Sequence, residues 1–316
     1  MENTAETPIR EQNDAKSSDF YAEITNEIIG ELEQGTPPWH KPWSDGELIS
    51  RPRRHTGEPY QGINVLALWN AAIKNGYSSP YWMTYRQAQE LGAQVKRGAK
   101  PQTVVFAMSL DEKDEEGATT GKTFTTRKSY KVFNADQIMN LGEHFNKAEQ
   151  PLRAEQRILV AEAFFNATGA NVEHGGEMAF YVPTTDQIQL PPFENFESPE
   201  SYYATRAHET AHWTGHSSRL DREFGQSRSD IKYAQEELVA ELSSAFLCAD
   251  LGLKNHPRTD HSAYIQSWLK ILWEDKKAIF TAATQAERAV KFLNVLQRPK
   301  PAPNSDTLAT PAVQPQ

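Results

Sequence analysis

His208, Glu209 and His212 fall in the stretch "RAHETAHWTGH" (residues 206–216), which carries three of the chain's nine histidines. Two histidines four residues apart on a helix share a face, and their rings can reach one metal ion. The glutamate one residue past the first histidine can approach a water beside that metal without ligating it. There it would serve as the general base, Glu209 in this chain. A metal so held lowers the pKa of its water to about 7, which makes a nucleophile available at neutral pH. A purely structural site has no use for that glutamate, so the motif points to hydrolysis.

A catalytic site of this kind needs a third protein ligand and an open position. The extended pattern HExxHxxGxxH would place a histidine at 218, where the chain has Ser218. His216 lies beyond Gly215 and reads as structural or as a support outside the ligand set, with ligation as the alternative. Downstream, "YAQEELVAELSSAFLCADLG" supplies Glu237 and Glu241, four apart on a face shared with Ala234, Ser244, Ala245 and Cys248. Small residues allow close packing, and a carboxylate buried there needs a cation or a metal. Glu237 is the expected ligand and Glu241 the residue that hydrogen-bonds a ligand histidine. The reverse assignment stays open. Two histidines and a carboxylate suit Zn²⁺ and can also hold Mn²⁺.

These residues need two helices to hold them. In "SPESYYATRAHETAHWTGH", Ser198 is placed as N-cap, Pro199 as the first helical residue and Gly215 as the stop. The second helix turns Leu238, Leu242, Ala245 and Phe246 inward. Upstream, "MAFYVPTTDQIQLPP" alternates apolar and polar residues like a strand. If it lines a cleft beside the metal helix, Tyr181 and Asp186 come near the site.

The first half has a different character. "DFYAEITNEIIGELEQG" and "PYQGINVLALWNAAIKNGY" have helical periodicity and end in glycine, and "TYRQAQELGAQV" reads as a shorter helix. "KPQTVVFAMSL" and "TTRKSYKVFNADQI" read as a hairpin with the acidic "DEKDEEG" at its tip. From Trp39 to Pro101 nine Lys/Arg face only four Asp/Glu, in a chain of net charge −9. The basic residues interleave with aromatics, the pattern that grips single strands: cations follow phosphates while rings stack on bases. The expected contacts are Trp39, Lys41, Trp43, Arg51, Arg53, Arg54, Tyr85, Arg86, Lys96, Arg97 and Lys100. Arg127, Lys128 and Lys131 would extend the surface along the hairpin. Trp69, on the apolar face of a helix, reads as core.

Composition bounds the rest. The chain has 316 residues, 38% hydrophobic and 24% charged, which reads as soluble and globular with room for two domains. No apolar run approaches the ~20 residues of a membrane span, and the start lacks the pattern of a secretory signal. The single cysteine, Cys248, excludes an internal disulfide and fits a reducing cytoplasm. The expected organisation is α+β in two domains, with a disordered N-terminus over 1–17 and a disordered Pro-rich tail over 298–316. Residues 18–145 form a mixed helix and β-hairpin DNA-binding domain. Residues 152–297 form a mostly helical domain with a small β-sheet, carrying the candidate metal site.

Several longer segments carry a resemblance. "PYQGINVLALW", "YWMTYRQAQELGAQVKRGAKPQTVVF" and "YKVFNADQI" in the first half resemble the ArdC antirestriction proteins of conjugative plasmids. So do "HETAHWTGH", "YAQEELVAELSSAFLC" and "SWLKILWEDKKAIFTAATQAERAV" in the second. The resemblance covers nearly all of residues 18–297. It implies an N-terminal single-stranded-DNA-binding domain, shared with TraC-type primases, and a C-terminal zincin-like metallopeptidase domain. The metal helix and the helix of Glu237 also resemble those of the ImmA/IrrE peptidases. The implied role is to protect conjugative plasmid DNA from host restriction as it enters the recipient cell, where a protein of the restriction system would be a substrate. The competing expectation is a single-stranded-DNA-binding protein whose metal site is structural and not proteolytic.

Overall fold

The computed structural model describes residues 9–35, 37–39, 50–113, 119–145, 153–225, 230–254 and 262–297. The chain folds as α+β in two parts. In the first, helix α1 (Ile9–Glu33) begins inside the polar stretch expected to be disordered. Helix α2 (Ile63–Asn75) is closed by Gly76, which takes the left-handed conformation at φ 67° and donates to the last carbonyls. Only glycine adopts that geometry without strain. Strand β1 (Arg53–Arg54) precedes α2, and strand β2 (Tyr81–Thr84) and the short helix α3 (Tyr85–Glu90) follow it. The Thr84 side chain caps α3, and Gln87 returns the bond in a capping box.

The expected hairpin is present as β4 (Gln102–Lys113) and β5 (Thr119–Asn134). The strands pair from Gln102 opposite Val132 to Lys113 opposite Thr119. Residues 114–118, most of the acidic tip, lie outside the described residues. The sheet order is β1-β2-β5-β4, with β1 parallel to β2 and the other pairs antiparallel. Strands β3 (Gln94–Val95) and β6 (Ile138–Met139) form a separate small pair.

The second part opens with α4 (Ala154–Ala167). A three-stranded sheet follows, made of β7 (Asn171–His174), β8 (Phe180–Val182) and β9 (Gln187–Leu190) in the order β7-β9-β8. The segment expected as one strand is therefore a hairpin. The chain reverses between Val182 and Gln187, with Asp186 at φ 53°; a short polar residue tolerates that conformation. Strand β7 carries no alternation of its own and was not expected. Helices α5 (Pro199–Thr214), α6 (Ile231–Leu251), α7 (Ser262–Glu274) and α8 (Ala278–Leu296) complete the fold.

The two parts share one hydrophobic core. A single cluster runs from Ile28, Leu32, Trp39, Leu66 and Trp69 to Phe246, Trp268 and Leu293. The Trp69 ring meets Phe246 of α6 edge-on, with centroids 5.9 Å apart. None of the described helices is long and apolar enough to cross a membrane.

Candidate metal centre

Helix α5 starts where its sequence says it should. The Ser198 hydroxyl accepts from Ser201 N–H, and Pro199 follows at a position that needs no donor. The helix then buries its middle, with His208 1% and His212 8% exposed. Their Nε2 atoms lie 3.1 Å apart. Helix α6 packs against α5 and supplies Glu237, with Oε2 3.4 Å from His208 Nε2 and Oε1 3.6 Å from His212 Nε2. Among the described residues these three side chains form the one group that could hold a metal ion, their ligand atoms within 4.8 Å of one another. Two imidazole nitrogens and a carboxylate converging among buried side chains are a donor set for a divalent metal. Glu209 lines the same cavity, of about 830 Å³, with His212 and Glu237.

The residues around this trio differ partly from expectation. Glu241 Oε1 stands 3.7 Å from His208 Nδ1, an ionic contact outside hydrogen-bond range. His216 takes no part in the trio; its Nδ1 lies 2.8 Å from the Ser218 hydroxyl. Glu236 was not foreseen, yet its Oε1 is 3.2 Å from His212 Nδ1. Arg222 was not foreseen either. It donates to both Glu236 oxygens, at 2.7 Å and 2.9 Å. Burial by itself raises the Glu236 carboxyl, but hydrogen bonds from Arg222 and His212 outweigh it and hold the group below its ordinary value. Burial likewise lowers His212, and the surrounding Glu236, Glu237 and Glu209 carboxylates bring its net shift upward.

The cavity wall is built from β8 and from the loop after α5. Tyr181, Phe224 and Tyr233 face the cavity. Tyr181 donates to Asp186 Oδ1 at 2.9 Å. Asp186 does not reach the metal trio; it pairs with Arg219 through both its oxygens. Arg219 also donates to the Trp213 carbonyl at 2.6 Å and stacks its guanidinium 3.9 Å from the Trp213 ring centre. Burial, the Tyr264 hydroxyl and the Glu237 carboxylate push the Tyr233 phenol up, so it stays a proton donor on that wall.

The expected nucleic-acid residues divide. Trp39 is 0% exposed and packed on Trp268, so its ring has no face to offer a base. Its hydrophobic area went to the shared core instead. Arg51 is also buried, paired with Asp250 at 2.8 Å and with Glu287. Its charge is consumed inside the protein and cannot meet a phosphate. Lys41 and Trp43 lie outside the described residues. Arg53 is half-buried in β1. Arg54 donates to Glu58 at 3.2 Å and lies 4.8 Å from the Phe106 ring centre. Tyr85 is 49% exposed. Arg86 is exposed beside Glu90 at 2.8 Å. Lys96, Arg97, Lys100, Lys128 and Lys131 are exposed. Lys96 donates to the Asp136 carbonyl and Lys131 to the Thr103 hydroxyl. Residues three apart on a strand point to opposite faces, so Lys128 and Lys131 cannot serve one flat surface. Arg127 pairs in register with Ala107.

The fold of the second part is that of a zincin-like protein, and a zincin-like metallopeptidase family model matches residues 160–285. A model of the N-terminal domain of anti-restriction factor ArdC matches residues 18–133. The metal-free crystal structure of the antirestriction protein ArdC from plasmid R388 has a TM-score of 0.75 to this chain. It is 45% identical, over 88% of this chain and 98% of that one. This chain belongs to the ArdC antirestriction family. The Mn(II)-bound form of the R388 protein gives a TM-score of 0.73 at 44% identity, over 88% of this chain and 97% of that one. The protein y4eC of Sinorhizobium fredii, uncharacterized, is 38% identical over 290 residues, 89% of this chain and 93% of its own length. DNA primase TraC of Escherichia coli is 38% identical over 295 residues, 87% of this chain but 27% of the primase.

Proposed function

We propose that this protein is an antirestriction factor that binds single-stranded DNA and carries a metal-dependent peptidase site, protecting incoming plasmid DNA. The observation that carries the reading is Glu209 lining one cavity with His212 and Glu237, two of the three side chains whose ligand atoms, with those of His208, lie within 4.8 Å of one another. His208, His212 and Glu237 would hold the ion, Zn²⁺ by the zincin-like fold or Mn²⁺ as in the R388 relative. When bound, the ion polarises a scissile carbonyl and activates water. Glu209 Oε would take a proton from that water as its oxygen bonds to the carbonyl carbon, and would return it to the nitrogen as the C–N bond breaks. Tyr233 and Tyr181 shape the wall, and a protein segment occupies the cleft. Residues 18–145 would carry the DNA contacts through Tyr85, Lys96, Arg97 and Lys100, whose exposure leaves them open to phosphates and bases.

The deciding experiment compares Glu209→Ala with wild type in peptide hydrolysis, metal content, strand binding and protection from restriction. The proposal expects hydrolysis to fall by at least about 100-fold, the lower range of a lost general base, with metal and DNA binding kept. If hydrolysis is absent in wild type and protection survives the substitution, the protein acts by coating the strand and its metal is structural.

A further inference from the structure

We infer that Arg222 and Glu236 are positioning residues that hold His212 for the metal, and that metal affinity depends more on this clamp than on Glu241. The inference rests on the metal trio described above, and goes beyond it to residues outside the ligand set.

Glu236 precedes Glu237 on α6, so its side chain leaves the helix about 100° around the axis from the ligand's. That rotation carries it to the far nitrogen of the His212 ring. Its Oε1 lies 3.2 Å from Nδ1, while Nε2 of the same ring faces His208 and Glu237. A carboxylate accepts only, so the pairing places the ring proton on Nδ1 and leaves the Nε2 lone pair directed at the trio. The carboxylate is buried at 6% exposure, and the Arg222 side chain at 5%. A buried carboxylate keeps its charge only with a compensating partner. Arg222 compensates in the bidentate manner for which a guanidinium is shaped.

Arg222 is itself fixed by the end of the metal helix. It donates to the Thr214 hydroxyl at 2.9 Å and to the Ala211 carbonyl at 2.7 Å. One guanidinium therefore joins the last turn of α5, which carries His212, to the carboxylate of α6 behind it. His208 has no equal support. Its Nδ1 is buried without a hydrogen-bond partner among the described residues, and Glu241 stands off at 3.7 Å.

Gly215 shows how tightly the clamp is fitted. A β-carbon there would stand 2.8 Å from Arg222 Nη2 and 2.8 Å from Phe224 Cζ. Its backbone, at φ −79°, would accept any residue. A side chain at 215 would therefore have to displace the ends of the Arg222 and Phe224 side chains, although the backbone conformation itself would admit one.

The test measures Zn²⁺ affinity by chelator competition on full-length protein, with Co²⁺ visible absorption as a report on the ligand field. The variants are Glu236→Gln, Arg222→Gln, Arg222→Lys, Gly215→Ala and, for comparison, Glu241→Gln, each also melted without metal. Glu236→Gln and Arg222→Gln should each weaken Zn²⁺ binding about 10–100-fold, the range for lost support behind a ligand. They should shift the Co²⁺ bands, and their double variant should be no worse than either alone. Arg222→Lys should rescue only in part, because an ammonium cannot hold both oxygens at once. Gly215→Ala should weaken binding with every charge still present, and Glu241→Gln should matter less. Wild-type affinity in Glu236→Gln and Gly215→Ala, with only the metal-free melting temperature lowered, would reduce Arg222 to a tie between helices and overturn the inference. A larger loss in Glu241→Gln would overturn the asymmetry. Absence of Zn²⁺ binding in the wild type would instead remove the metal site itself.

Discussion

Trp39, from the amino-terminal part, lies edge-on against Trp268 of α7, their ring centres 6.0 Å apart and both side chains fully buried. With Trp69 on Phe246, this contact makes the core of one part depend on the other. A fragment of residues 18–145 would expose the faces of Trp39, Trp69, Leu32 and Leu66, each worth about 1.5–3 kcal/mol or more of lost burial. We therefore expect that fragment to aggregate or to lack a cooperative melt, whereas the full chain melts in one transition by circular dichroism. A sharp, reversible melt of the fragment would contradict the shared core.

Arg51 gives a second, independent test of the same junction. Its removal leaves the Glu287 carboxylate, in a residue 8% exposed, without its cation. Breaking one partner of a buried pair costs about 3–5 kcal/mol. Arg51→Ala should lower the denaturation midpoint accordingly, while strand affinity per folded molecule stays unchanged. A selective loss of DNA affinity at wild-type stability would return Arg51 to the nucleic-acid surface.

Ligand identity can be read by elemental analysis. His208→Ala, His212→Ala and Glu237→Ala should each abolish stoichiometric metal, and His216→Ala should keep it, because His216 bonds Ser218 and stands outside the trio. A His216 variant as empty as the His208 variant would overturn the assignment.

The exposed cations should govern salt dependence. Removing Lys96, Arg97 and Lys100 together should weaken binding to single-stranded oligonucleotides of any sequence. It should also flatten the slope of log affinity against log salt by about 0.7 per lost phosphate contact. Fluorescence anisotropy at four salt concentrations would show it. An unchanged slope would move the strand to another surface.

Cys248 should be inert. It is fully buried on α6, and burial pushes its thiol up to about 12; the thiolate is the reactive form. A thiol reagent at pH 8 should label it only after denaturation, and stoichiometric labelling of the folded chain would show that α6 opens.

That His208, His212 and Glu237 come together was legible in the sequence because the cues are local. His208 and His212 are one helical turn apart, and Glu237 sits on a helix whose small-residue face announces close packing. The hairpin and the ends of α2 and α5 were legible for the same reason, through glycine, proline and capping residues. Arg222 and Glu236 were not, since their meeting depends on the path of the loop after Gly215 and no periodicity records it. Trp39 and Arg51 misled because an aromatic beside basic residues reads alike whether it stacks on a base or on Trp268. What separates the two is a partner more than 200 residues away. Asp186 was expected near the site if its strand lined the cleft; Tyr181 does line it, but the turn that holds Asp186 points it to Arg219 instead.

Arg219 ties the Asp186 turn of the β8–β9 hairpin to Trp213 at the end of the metal helix. The cleft is bounded by that hairpin on one side and that helix on the other, so its width is fixed when the chain folds. Ordering the two walls is then a cost borne by folding stability, and under the proposed function a peptide segment entering the cleft would not bear it again. A segment that fits the gap would then bind without first assembling it, and one that is too wide would meet a braced wall whose retreat breaks the Arg219–Asp186 ion pair.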